Sequence, residues 1–178
     1  MLALNSMIAV YETQTQAETG LRELHQSGFD LKKVSILARE HESGEHAVGY
    51  CNTGGHMSYW GPRGLFWNGL WSTLDGAAYF SVPGIGGVLI AGPLAGWIVD
   101  ALKDAWSEGL GPVGAGLYAI SIPKSSVSRY ESAIRMHKLL LIAHGEPREM
   151  MKTRELLRHS RPEEINIHFA EEGVQLAA

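Results

Sequence analysis

At 178 residues the chain can form one compact domain, or a small domain carrying a large insertion. A net charge of −4 and a pI near 6, with 15 scattered lysines and arginines, leave no basic stripe to neutralise phosphates and argue against a nucleic-acid partner. The single cysteine, Cys51, cannot close an internal disulfide, which fits a reducing cytoplasm, and the N-terminus lacks the pattern of a cleaved signal peptide.

The first elements read as a β-α-β unit. Met7 to Tyr11 is a short apolar run suited to a buried strand. Thr15 and Glu18 have capping-box spacing, and Ala17, Leu21 and Leu24 then share a helical face that Gly28 closes. Val34 to Ala38 supplies the second strand. Residues 40–61 follow as a loop rich in His, Gly and Ser. Its His41, His46, Cys51 and His56 recur every five residues. Imidazole and thiolate are good ligands for zinc or copper, but this spacing matches no standard ligand pair, and solvated loop histidines are the simpler reading.

A tract from Trp60 to Gly116 holds all five tryptophans and 13 of the 21 glycines, and Asp75 is the one charge between Gly64 and Val99. Trp67, Leu70, Trp71, Leu74 and Ala78 make one helical stripe over residues 64–80. After a break at Ser81 to Gly84, a second helix is expected from about Val88, with Gly92-x-x-x-Gly96 along it. Gly69, Gly76, Gly92 and Gly96 are then candidate sites of close helix packing. Trp60, Trp67, Trp71 and Trp106 are candidate interfacial aromatics. A bilayer span takes about 20 apolar helical residues. The first helix is short for that and the second is broken by glycine and Pro83, so a helical hairpin entering from one side fits better than a single span. A soluble hairpin buried against the sheet or another subunit is the alternative. Asp75 is costly in an apolar helix unless paired, neutralised or at a wet surface.

After the tract, Pro123 precedes a helix on which Val127, Tyr130 and Ile134 share a face. Leu139 to Ala143 is a strand, Pro147 is placed to open a helix with Met150, Met151 and Leu157 on its apolar side, and Ile165, Ile167 and Phe169 alternate with Asn166 and His168 as a half-buried strand does. Two β-α-β units predict an α+β, ferredoxin-like fold: a four-stranded antiparallel sheet with both helices on one face. That domain takes residues 1–39 and 120–172, the insertion 40–119, and a tail 173–178.

The stretches Val48 to Gly54, Met57-x-Tyr-Trp-Gly61, Pro83 to Gly86, Ala91-Gly-Pro93 and Ile122 to Glu131 resemble the bacterial general-stress-protein 17M-like proteins over roughly residues 7 to 158. The resemblance implies a ferredoxin-like domain with a glycine-rich hydrophobic insertion and a stress-related role. It implies no activity. Cys51 and Gly55-His56 depart from the family pattern, where tyrosine and Asp-Arg are expected.

No chemistry-bearing motif stands out. His144 and Gly145 follow a strand, but no nucleophile motif accompanies them, so a turn is the simpler reading. GxxxxGK[ST] is absent, and Gly84-x-Gly86-Gly87 lacks the third glycine of a dinucleotide loop. The expectation is therefore a non-enzymatic, cofactor-free, stress-associated protein that assembles with itself through the hairpin, cytoplasmic and associated with membrane lipid. The rivals are a soluble homo-oligomeric regulatory module and a small-ligand or metal sensor built on the histidine loop.

Overall fold

The computed structural model describes residues 5–40, 46–48, 58–60, 64–101 and 110–170. The fold is α+β. Six strands form one antiparallel sheet: β1 (Asn5–Tyr11), β2 (Val34–Arg39), β5 (Ala77–Val82), β6 (Gly86–Ala91), β7 (Leu139–Gly145) and β8 (Glu164–His168), in the order β5-β6-β2-β7-β1-β8. A separate two-stranded pair joins β3 (His46–Val48) to β4 (Ser58–Trp60). The two chain ends thus share a sheet: β1 lies between β7 and β8, with Ile8 opposite both Ile142 and Asn166. That sheet has six strands, against the four expected.

The additional strands come from the tract, and they correct the helical hairpin. Helix α2 (Gly64–Thr73) is shorter than its stripe implied, and the chain then turns into the β5–β6 hairpin. Gly76 at φ +109°, and Gly84 and Gly86 at φ +78° and +104°, take left-handed conformations that a helix cannot contain. The run Val88 to Ala91 is completely buried, and such short apolar runs carry no period to separate helix from strand. It completes the sheet by pairing with the free edge of β2, Ile36 opposite Ala91 and Arg39 opposite Val88. Only then does helix α3 (Leu94–Ala101) begin.

Each face of the sheet carries its own apolar layer. On one, Met7, Ala9, Val34, Ile36, Leu141 and Ala143 pack beneath α1 (Gln14–Gln26), α2 and α6 (Pro147–Leu157), which contribute Leu24, Trp67, Leu70, Met150 and Leu157. On the other, Ile8, Val10, Leu37, Ile90, Leu140 and Ile142 meet α3, α4 (Pro112–Ala119) and α5 (Lys124–Arg135) through Leu94, Ile98, Val113, Leu117, Tyr130 and Ile134. Both β-α-β helices, α1 and α6, lie on one face as expected, and the later part of the tract covers the other.

Local signals fix the helix ends. The capping box at the start of α1 is Thr13 with Gln16, two residues before the one read from sequence: the Thr13 hydroxyl accepts from the Gln16 amide at 3.3 Å while the Gln16 side chain accepts from the Thr13 amide. Gly28, at φ +80°, follows the helix where the C-terminal glycine was expected. Pro147 opens α6 and Pro123 caps α5.

Gly92 and Gly96 do not share a helix seam. Gly92 sits in the turn after β6 at φ +105°, and a Cβ there would overlap the Val34 carbonyl and lie 2.7 Å from Ser35 Cα. Gly96 is an exposed residue of α3 with nothing within 4 Å of such an atom. Close helix approach occurs at Gly114 and Gly116 of α4, where a Cβ would meet Val127 and Ile98. Substituting alanine at the two positions should therefore have opposite signs. Gly92→Ala combines a strained φ with a backbone clash and should cost at least about 2 kcal/mol. Gly96→Ala should be neutral or stabilising by up to about 1 kcal/mol. Urea melts of both variants check this; equal destabilisation would restore a packing role for Gly96.

Candidate functional site

The described residue with the most perturbed acid–base character in a buried setting is His144, close to the end of β7 and within the strand rather than in a turn after it. The antiparallel register places Ser6 of β1 opposite both His144 of β7 and His168 of β8. Directly opposed residues share a face. The result is a polar row, His144–Ser6–His168, on the face covered by α3, α4 and α5. His144 Nδ1 lies 3.1 Å from Ser6 Oγ, which in turn lies 3.2 Å from the Ile120 carbonyl oxygen. Beyond Ser6, Tyr130 Oη lies 2.7 Å from His168 Nε2. Trp97 of α3 meets the His144 ring in a T-shaped contact at 4.9 Å.

Ser6 has one hydroxyl proton. When it goes to the Ile120 carbonyl, His144 must donate from Nδ1–H to Ser6 Oγ, which leaves Nε2 as a bare lone pair. Nε2 is buried and has no hydrogen-bond partner. Burial pushes the His144 imidazole down to about 4, so the ring is neutral at physiological pH. Burial likewise lowers His168 and raises Tyr130, keeping that pair uncharged.

A serine beside an imidazole resembles a nucleophile and its base. Access decides against that role: Ser6 is fully buried and His144 is 3 % exposed. The arrangement holds two strands and the α4–α5 connection together through a buried polar contact. Sequence reading singled out His144 but not Ser6, 138 positions away. Only the strand register brings them together.

The other candidates are dispersed. Gly69 lies exposed on α2, and Gly76 and Gly92 meet through a Gly92 N–H to Gly76 carbonyl bond of 2.8 Å. Trp67 is 1 % exposed, inside the core, and half-buried Trp71 donates its indole N–H to the Ile90 carbonyl at 3.1 Å. Asp75 is exposed, at the turn after α2, so its charge stays in water. His41, Cys51, His56, Trp106 and the tail 173–178 lie outside the described residues; His46 and Trp60 fall on β3 and β4, with their side chains outside the description. Among the described residues no group of three or more His, Cys, Asp or Glu could hold a metal ion, and no helix is long and apolar enough to cross a membrane.

No family model, curated protein or solved structure matches this chain.

His144 sets an acid dependence of stability. The unfolded ring protonates near 6.5 and the folded one near 4, so between these values the unfolded state binds the additional proton. Stability should be full above pH 6.5, fall by about 3 kcal/mol as pH drops to 4, and gain no further slope from this group below that. His168 acts in the same direction, whereas Glu149, held below its usual range by the Glu146 backbone amide and by Lys33, contributes only at more acid pH. Denaturant melts from pH 8 to pH 4 check this. His144→Gln should remove most of the slope, and an unchanged slope in that variant would refute the assignment.

Proposed function

We propose that the chain is a non-enzymatic, self-associating protein with a ferredoxin-like core, attached peripherally to a membrane surface through helix α2. The ferredoxin-like reading rests on the strand order β8-β1-β7-β2 with α1 and α6 on one face; the tract then adds a hairpin and a second helical layer. Membership of the general-stress-protein 17M-like family is part of this proposal and rests on the sequence motifs alone.

The observation that carries the surface role is Leu65, 92 % exposed on α2 beside half-buried Phe66. Helix α2 buries Trp67 and Leu70, with Leu74 buried just past its end, and turns Leu65, Asn68, Gly69 and Ser72 to solvent. An apolar side chain held that far out of a helix whose other face is anchored in the core is suited to the headgroup–acyl boundary, where interfacial helices lie without spanning. A soluble assembly is the second reading. It is favoured by the burial of Leu94, Ile98, Val113 and Leu117 within the chain's own core, which leaves less of the tract for lipid.

Flotation of the full chain with phosphatidylglycerol-containing vesicles tests the proposal. Wild type should float, and Leu65→Asp should reduce the floated fraction by about tenfold or more, the loss expected when one leucine side chain stays in water. Wild type that never floats would remove the membrane role and leave the soluble assembly.

A further inference from the structure

Among the described residues, strand β8 forms one outer edge of the sheet, with β1 as its one partner. Exposed edges are ordinarily blunted by a strand-interior proline, a lysine or a bulge, because unpaired backbone groups recruit another strand. Glu164-Ile-Asn-Ile-His168 contains neither proline nor lysine, and its register against β1 runs without interruption.

Its two faces differ. Ile165 and Ile167 pack toward the α1–α6 layer and remain half-buried, and Phe169, just past the strand, is 53 % exposed. Glu164, Asn166 and His168 lie on the other face, with Glu164 3.0 Å from Arg129 and His168 bonded to Tyr130. Alternate residues of an antiparallel strand turn their N–H and C=O to opposite sides. The Val10 carbonyl faces β8, where it accepts from the Glu163 amide at 2.8 Å, so Val10, Ile8 and Ser6 bond toward β8 and their opposites Glu164, Asn166 and His168 bond back. The backbone groups of Ile165 and Ile167 are left for the open edge.

We propose that this edge pairs antiparallel with β8 of a second copy, about a twofold axis through Asn166, joining the two sheets into one. The inference rests on the self-association reading and names its contact. Full overlap of the five residues allows one symmetric register. It sets Asn166 against Asn166, Ile165 against Ile167, and Glu164 against His168 of the other copy. Each opposition is chemically matched. The outward-facing groups of Ile165 and Ile167 meet each other, which the hydrogen-bond alternation requires. Isoleucine meets isoleucine on one face. On the other, a carboxylate meets an imidazole whose Nε2 lies against Tyr130 Oη, and with that hydroxyl donating, the ring carries its proton on Nδ1. A five-residue strand pair is small beside the roughly 800 Å² per partner of a stable interface, so the dimer should dissociate on dilution.

Site-directed crosslinking of the full chain tests the register, in a Cys51→Ser background. Residues opposite each other at a non-hydrogen-bonded position have Cα atoms about 4.5 Å apart, within reach of a disulfide. Asn166→Cys should crosslink to itself under mild oxidation at least about tenfold faster than Glu164→Cys, whose own copy lies four residues out of register. A mixture of Glu164→Cys and His168→Cys chains should crosslink to each other. Circular dichroism confirms that each variant is folded, and sedimentation of wild type gives its mass. A wild-type oligomer in which Asn166→Cys crosslinks no faster than Glu164→Cys, and the mixed pair fails, overturns the β8 contact and leaves self-association standing. A wild type that is monomeric at every concentration overturns both.

Discussion

Gly92 seated against strand β2 is the contact on which the rest of the tract depends. Its backbone lies so close to Val34 and Ser35 that no side chain fits, and the following residue but one, Leu94, donates its amide to the Ser35 hydroxyl at 3.1 Å. That bond ties the start of α3 to the strand that β6 has just joined. The polypeptide is thereby turned at the end of β6 onto the second face of the sheet. Without that turn, α3 and α4 would not reach β5 and β6, and the layer that α5 shares with them over Ile90, Leu37 and Leu140 would be left incomplete. Burying such a layer is the dominant favourable contribution to folding.

Glycine in this tract thus serves several separate ends. Gly76, Gly84 and Gly86 provide backbone conformations that end a helix or close a hairpin. Gly92 permits a strand-edge approach, and Gly114 and Gly116 let α4 settle against α5 and α3. Tryptophan is similarly divided: Trp67 fills the core beneath α2, Trp71 bonds to β6, and Trp97 lies over His144. Among the described residues, much of a composition that resembles a membrane insertion covers the chain's own sheet, and Leu65 is the large apolar side chain left most exposed.

The parts of this fold legible in the sequence are those with a period or a cap. Alternation in Ile165 to His168, the shared face of Val127, Tyr130 and Ile134, and the prolines at 123 and 147 each mark an element that the structure contains. The β5–β6 hairpin was hidden because Val88 to Ala91 is buried on both sides, and a run without alternation reads equally well as helix. The Gly92-x-x-x-Gly96 spacing then reinforced the wrong period. Ser6 was illegible for another reason: its partners His144 and His168 are fixed by register between distant strands, which no local pattern encodes.

The β5–β6 hairpin belongs to the sheet, and native-state hydrogen exchange of the β6 amides reports on that membership residue by residue. Leu89 and Ile90 are fully buried between β5 and β2, so their amides should exchange as slowly as those of Leu140 and Leu141 in β7, near the limit set by global unfolding. Fast exchange at Leu89 and Ile90 alongside slow exchange at Leu140 and Leu141 would detach the hairpin from the sheet and overturn the place of β6 between β5 and β2.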